Sequence, residues 1–354
     1  MVRAAAVLAF VALVSALPVA AETTPDLADS QRWLNTLAAD AAAGRRTGSA
    51  AQQRIGVWLA DEFKALGLQP LGDSYFQLFA VTNKDGSQTI GRNVLAVLPG
   101  TQPTAQAEYL LLSAHYDHIG HQPGAGRDHV FNGADDNASG VTVMLNIAKQ
   151  LQRAAATGNR PPRHIVFAAW DAEEMGLKGS AHFVAQPLLP LDRIVANLNF
   201  EMVGVTEGKN RRNLWMTGWQ HSELFEQIKP MLTAQGWTLE ADPYPQWDLF
   251  LRSDNAPFAS MKNIGSEAQP HWLGVPAHSL SVWRGQRHYH AANDEASLID
   301  LENLTALASA MTVVVQELAK PERQIGWKPE TTPRFSRLPA AGADSAAATM
   351  TGSP

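Results

Sequence analysis

The chain has no cysteine, and that absence removes several chemistries at once. No disulfide can brace the fold, no thiolate can hold copper(I) or an iron–sulfur cluster, and no lipid can be attached through a cysteine behind a leader. Any metal centre must be built from His, Asp and Glu, a donor set that suits zinc in a hydrolytic role, or manganese or cobalt. A basic stripe is missing too. The 28 Lys and Arg are interspersed with 34 Asp and Glu, for a net charge of -6, which argues against nucleic acid as a partner. No internal repeat is visible.

The apolar run at the start is short of bilayer length. Ala4 to Leu17 covers 14 residues, against the roughly 20 needed for a membrane-spanning helix. Arg3 precedes it and Pro18-Val19-Ala20-Ala21 follows, a bracket that predicts a signal peptide over residues 1–21, cleaved after Ala21. The mature protein is then expected in a periplasm or outside the cell, with no stable membrane anchor.

What remains is enough for a large core: 354 residues, 45% of them hydrophobic, predict one domain over residues 22–320. Helical spacing marks residues 29–40 and 49–66, the second through Ile55, Leu59, Phe63 and Leu66, ended by Gly67 and Pro70. They form a helical N-terminal flank over about residues 29–70, with the turn cluster Gly44-Arg45-Arg46-Thr47-Gly48-Ser49 between them. Strands are expected at Tyr75–Val81, Asn93–Leu98, Tyr109–Ala114, His164–Ala169 and Ile194–Phe200, and a helix from Ala138 to about Ala154. Apolar runs in strand–helix–strand order predict an α/β fold: a three-layer sandwich whose mixed, largely parallel sheet is covered by helices on both faces. From Pro321 to Pro354 five prolines and an Ala-rich end predict a poorly ordered tail.

Polar residues that bear chemistry cluster after the strands, where sites form in such sheets. His115 and Asp117 are two apart at a strand end, so one can bind a metal while the other orients its ring. Gly133-Ala134-Asp135-Asp136-Asn137-Ala138-Ser139-Gly140 holds more helix-capping side chains than one helix start needs, leaving a carboxylate free to bridge two cations. Glu173 and Glu174 follow a buried strand, and adjacent acids there can divide the work of holding a cation and moving a proton. Glu201 ends another apolar run, a costly place for an acid unless it is paired or metal-bound. His290 and Asp294 come last.

In this order the segments read His-x-Asp, Gly-Ala-Asp-Asp-Asn-Ala-Ser-Gly, Glu-Glu-x-Gly-Leu-x-Gly-Ser, Glu and His-x-x-x-Asp. The pattern, from about Asn93 to Leu301, resembles the co-catalytic zinc exopeptidases, a family that includes bacterial leucyl aminopeptidases, aminopeptidase Y, glutamate carboxypeptidase and the related glutaminyl cyclases. The resemblance implies two divalent ions, zinc first among the candidates, bridged by Asp136. It places His115 and Glu201 on one ion and Glu174 and His290 on the other, with Glu173 as general base and Asp117 orienting His115. It also implies peptide substrates and an aminopeptidase activity. Acidic-residue carboxypeptidase, glutaminyl cyclase and a non-catalytic binding module are the alternatives on the same fold. The chain is expected to act as a monomer or small homo-oligomer.

Three positions depart from the pattern. Glu201 stands where many aminopeptidases carry Asp. Asn255 replaces His in Ser253-Asp254-Asn255, and Arg252 stands where some members carry Tyr. Arg252, Asp254, Trp283 and Tyr289 are the candidate pocket residues. His118, His121 and His129 read as solvated residues of the polar loop after Asp117, with a further metal role as the alternative.

Overall fold

The apolar runs that read as buried strands lie at the centre of the molecule. The structure, a computed structural model, describes residues 27–122, 128–263, 266, 271–329 and 334–337; the expected leader lies outside them. In chain order the strands begin with β1 (Gln69–Pro70), β2 (Phe76–Thr82), β3 (Gln88–Leu98), β4 (Tyr109–His115), β5 (Gly120–His121) and β6 (Val130–Phe131). They continue as β7 (His164–Trp170), β8 (Ile194–Phe200), β9 (Asn213–Met216), β10 (Thr238–Ala241), β11 (Lys262–Asn263), β12 (Trp272–Gly274), β13 (Ala277–Ser281) and β14 (Phe335–Arg337).

The main sheet runs β1-β3-β7-β4-β8-β13-β9-β10, with β2 also paired to β3. Its middle, β7-β4-β8-β13, is parallel, whereas β3 joins β7 and β9 joins β13 antiparallel. The sheet is therefore mixed: parallel at the centre, antiparallel where β3 and β9 join it, and parallel again at the β9–β10 edge.

The helices are α1 (Leu27–Leu37), α2 (Ala50–Ala65), α3 (Gly140–Ala156), α4 (Lys178–Ala185), α5 (Leu224–Ala234), α6 (Asn255–Ala259) and α7 (Leu301–Leu318). Alternate strand residues face opposite cores, as the two-residue period requires. Leu110, Leu112, Ile165 and Phe167 join Leu34, Phe63, Met144 and Leu307 in one core. Leu111, Val166 and Ala168 join Phe183 of α4 and Phe258 of α6 in the other. Those are the outer layers of a three-layer sandwich. Helix α2 starts where the Ser49 side chain accepts the Gln52 N–H at 3.1 Å, and its chain turns away at Gly67 with φ +77°. No helix among the described residues is long and apolar enough to cross a membrane.

The reading of everything past Pro321 as poorly ordered does not hold for its described part. Ile325, Trp327 and Phe335 are buried, and Trp327 stacks on Phe335 at 5.0 Å. Strand β14 pairs with β12, and the Arg337 guanidinium donates to the Val195 carbonyl at 2.7 Å. Three large apolar side chains outweigh the disorder that the proline content suggested. Residues 330–333 and 338–354 lie outside the described residues.

Candidate metal centre

Strand β4 lies between β7 and β8, all three parallel, so their carboxyl ends open onto one crevice. His115 ends β4, Glu173 and Glu174 follow β7, and Glu201 follows β8. Asp136 arrives from the turn Ala134–Ser139 ahead of α3, and His290 from the loop after β13.

Asp136 splits the centre. Its Oδ1 is 3.2 Å from His115 Nε2, which is also 3.2 Å from Glu201 Oε1. Its Oδ2 is 3.2 Å from His290 Nε2, which is 3.0 Å from Glu174 Oε1. Donor atoms about 2.0–2.1 Å from a shared zinc in a tetrahedral array stand about 3.3 Å apart. Both sets of spacings fit a cation, and the hard oxygen and imidazole donors fit zinc, manganese or cobalt. Although burial opposes a charge on Asp136, hydrogen bonds from His115 and His290 hold its carboxyl well below the usual carboxylate range.

Glu173 belongs to neither set, and its carboxylate takes no hydrogen bond among the described residues. Burial pushes its pKa well above the usual range, against the pull of His115, with Glu201 and Asp254 adding to the rise. The acid pair is held from behind. Asp117 Oδ1 accepts the Glu173 N–H at 3.1 Å and its Oδ2 the Glu174 N–H at 3.2 Å. The expected contact from Asp117 to His115 is made by the Asp117 carbonyl, 3.1 Å from Nδ1, rather than the carboxylate at 3.7 Å. Of the capping candidates, Asp135 accepts the Gly204 N–H at 2.8 Å, and Asn137 accepts Gly140 N–H at 3.0 Å while donating to Phe200 O. Asp136 is left facing the crevice.

The sequence reading gave Asp294 no role and missed several other residues that shape the centre. Asp294 Oδ1 and Oδ2 accept the peptide N–H groups of Asp135 and Asp136 at 2.8 and 3.0 Å. Arg45, fully buried, donates to the carbonyls of Tyr116, Leu37, Asn132 and Gly133, tying the His115 and Asp136 loops to the N-terminal flank. Asp171 is buried with Thr47 Oγ1 at 2.8 Å, Gln52 Nε2 at 2.7 Å and Arg92 N at 2.7 Å; burial, then the charge of Asp117, raises its pKa to about 8. His118 is 1% exposed, with Nδ1 2.9 Å from Glu174 Oε1. Its reading as a solvated loop residue is therefore wrong, because β5 and β6 fold the loop back against the turn Asp40–Arg45. The signal available was its place directly after His115-Tyr116-Asp117.

A cavity of about 310 Å³ opens beside the acids, lined by Asp136, Glu173, Glu201 and His290 on one side. Met202, Trp215, Trp247, Trp283 and Tyr289 form its apolar wall, and Arg252 reaches it as well. Asp254 does not line it. Fully buried, it accepts the Ser180 hydroxyl at 2.5 Å, and burial raises its pKa to about 7.

Aminopeptidase YwaD of Bacillus subtilis is 26% identical to this chain over 261 residues, 73% of this chain and 50% of that protein. The chain spans about half the length, or less, of the curated relatives it matches. Among solved structures, BSAP, a zinc aminopeptidase from Bacillus subtilis, superposes with a TM-score of 0.64 at 17% identity, covering 84% of this chain and 96% of that one. Porphyromonas gingivalis glutaminyl cyclase gives 0.62 at 20% identity, covering 82% and 98%. These two likenesses show the fold. The model of peptidase family M28 matches residues 93–315, well over half of the chain. With the motifs, the sheet and the split centre already in place, that match identifies the chain as a member of peptidase family M28.

Proposed function

We propose that this protein is an exported aminopeptidase that removes N-terminal residues from peptides with two divalent cations, zinc first among them. The observation that carries the reading is the division of Asp136, one carboxylate oxygen toward His115 and Glu201 and the other toward Glu174 and His290, with Glu173 left free at the cavity.

When bound, such a pair of cations acidifies a water, polarises the scissile carbonyl and receives the terminal amine. Glu173 takes the proton of the attacking water on its carboxylate and hands it to the departing amine. Asp117 keeps Glu173 in place through the peptide N–H rather than through the side chain, so the carboxylate stays free to move a proton. The aromatic wall beside it receives the side chain of the residue to be removed. The leader-like residues 1–21 support export to a periplasm or the medium.

A substrate panel tests the activity. Protein purified with zinc should release free amino acids from aminoacyl substrates and carry about two divalent ions per chain. Turnover confined to acidic dipeptides, or to cyclisation of N-terminal glutamine, would replace this reading with one of its relatives' activities. Absence of bound metal even after zinc is supplied would point to a binding module. For export, the mature protein recovered from the periplasm or medium should begin at Glu22; recovery with residues 1–21 attached in the cytoplasm counts against it.

A further inference from the structure

The two donor sets around Asp136 are unequal, and His118 makes the difference. One set comprises His115, Asp136 and Glu201; the other comprises His118, Asp136, Glu174 and His290. His118 Nδ1 lies 2.9 Å from Glu174 Oε1 and 3.9 Å from Asp136 Oδ2. In spite of this proximity, neither ring nitrogen of His118 has a hydrogen-bond partner. Leaving both nitrogens of a buried imidazole unsatisfied is costly, and close approach without hydrogen-bond alignment is how two ligands of one cation meet.

The ring has no freedom to turn elsewhere. Its edge meets His290 at 5.6 Å between ring centres. A Cβ on Gly133, which has φ +58°, would come within 2.6 Å of the His118 ring, so only glycine leaves the space the ring occupies. On the other side the backbone N–H of His118 reaches the Arg45 carbonyl at 3.4 Å.

We propose that His118 is a metal ligand, giving the Glu174–His290 position four protein donors while the His115–Glu201 position has three. This rests on the two-cation reading above and goes beyond its five-ligand set. A four-donor position is closed and holds its ion as structural sites do, whereas a three-donor position keeps a coordination place open. The two ions then load in order: the four-donor position fills first and tightly, and the other fills second and exchanges.

The probe is zinc alone, added to chelator-stripped full-length protein. Competition with a chromophoric chelator should give two classes of site about 100-fold or more apart in affinity. X-ray absorption at the zinc edge with one equivalent should count two imidazoles, a number that position reaches only if His118 is bound. His118→Ala should weaken the tight class by about 100-fold, drop the count to one and spare the weak class. His121→Ala, in the same loop, should change neither. The count on the wild-type chain decides the matter even if His118→Ala fails to fold. One imidazole on the first zinc, or two classes of equal affinity, would overturn the role of His118 and leave the two-cation reading standing. Failure to bind zinc would overturn both.

Discussion

The acidic centre and the cavity beside it are built in opposite ways. In the centre the supporting side chains hold backbone: Asp117 and Asp294 each accept two peptide N–H groups, and Arg45 donates to four carbonyls. In the cavity the walls rest on one another. Tyr244 stacks on Trp247 at 4.5 Å, Trp283 packs against both, and Tyr289 lies over His290 at 4.0 Å. Trp247 and Tyr289 remain 41% and 44% exposed. A hydrogen-bonded frame on strand ends fixes positions to fractions of an ångström, while ring contacts on loops tolerate exchange. The molecule fixes its chemistry and leaves its selectivity adjustable.

Mutations should respect that division. Glu173→Gln keeps shape and the hydrogen-bonded peptide but cannot take a proton, so kcat should fall about 10³-fold or more with zinc content unchanged. Comparable turnover in the variant would refute the role of Glu173. Next comes Asp117→Asn, which weakens the support under Glu173 and Glu174; metal affinity or kcat should drop about 10–100-fold. An Asn variant with wild-type metal affinity and kcat would mean that the backbone frame is dispensable. In the cavity, Trp283→Ala should raise KM about tenfold for peptides with large apolar N-termini and leave kcat nearly intact. If kcat collapses instead, the wall is part of the chemistry and the contrast between the two regions fails.

The smallest effect lies outside both regions. His278, fully buried, accepts the Ser222 hydroxyl and donates to the Thr217 carbonyl, both at 2.7 Å; burial lowers its pKa to about 3. It is neutral in the fold, while the unfolded chain protonates it near pH 6.5. The stability it confers is therefore complete above about pH 6.5 and is lost as pH falls toward 3. The stability advantage of the wild type over His278→Gln should shrink by about 1 kcal/mol between pH 6.5 and 5.5, read by denaturant melts. An advantage that stays constant over that interval would place a proton on His278 in the fold.

The same division governs what the sequence reveals. The strands at Tyr109, His164 and Ile194 were legible because strands buried on both faces are mostly apolar, and the acids that follow stand out against such runs. Trp283 and Tyr289 reached the list of pocket candidates only through their nearness to His290, and Trp215 and Trp247 did not reach it. Aromatic residues on loops, or on a strand as short as the four residues of β9 that carry Trp215, show no period that separates wall from core. His118 was misplaced for a related reason: a polar loop looks solvated until the tertiary fold closes over it. Arg45 hid inside a turn cluster whose glycines explain the turn but not the guanidinium. Ile325, Trp327 and Phe335 were masked by the prolines around them, since composition averages over side chains that packing selects one at a time.

The residues that match the family model begin at Asn93, yet Arg45, Thr47 and Gln52 lie before that point and Trp327 lies beyond its end. A chain trimmed to residues 93–315 would keep every acid and imidazole of the donor sets. It would also open the three carbonyls of Tyr116, Asn132 and Gly133 behind them and strip Thr47 and Gln52 from the buried carboxylate of Asp171. For anyone dividing or grafting this protein, the inheritable unit is the matched segment together with α1, α2 and the turn between them.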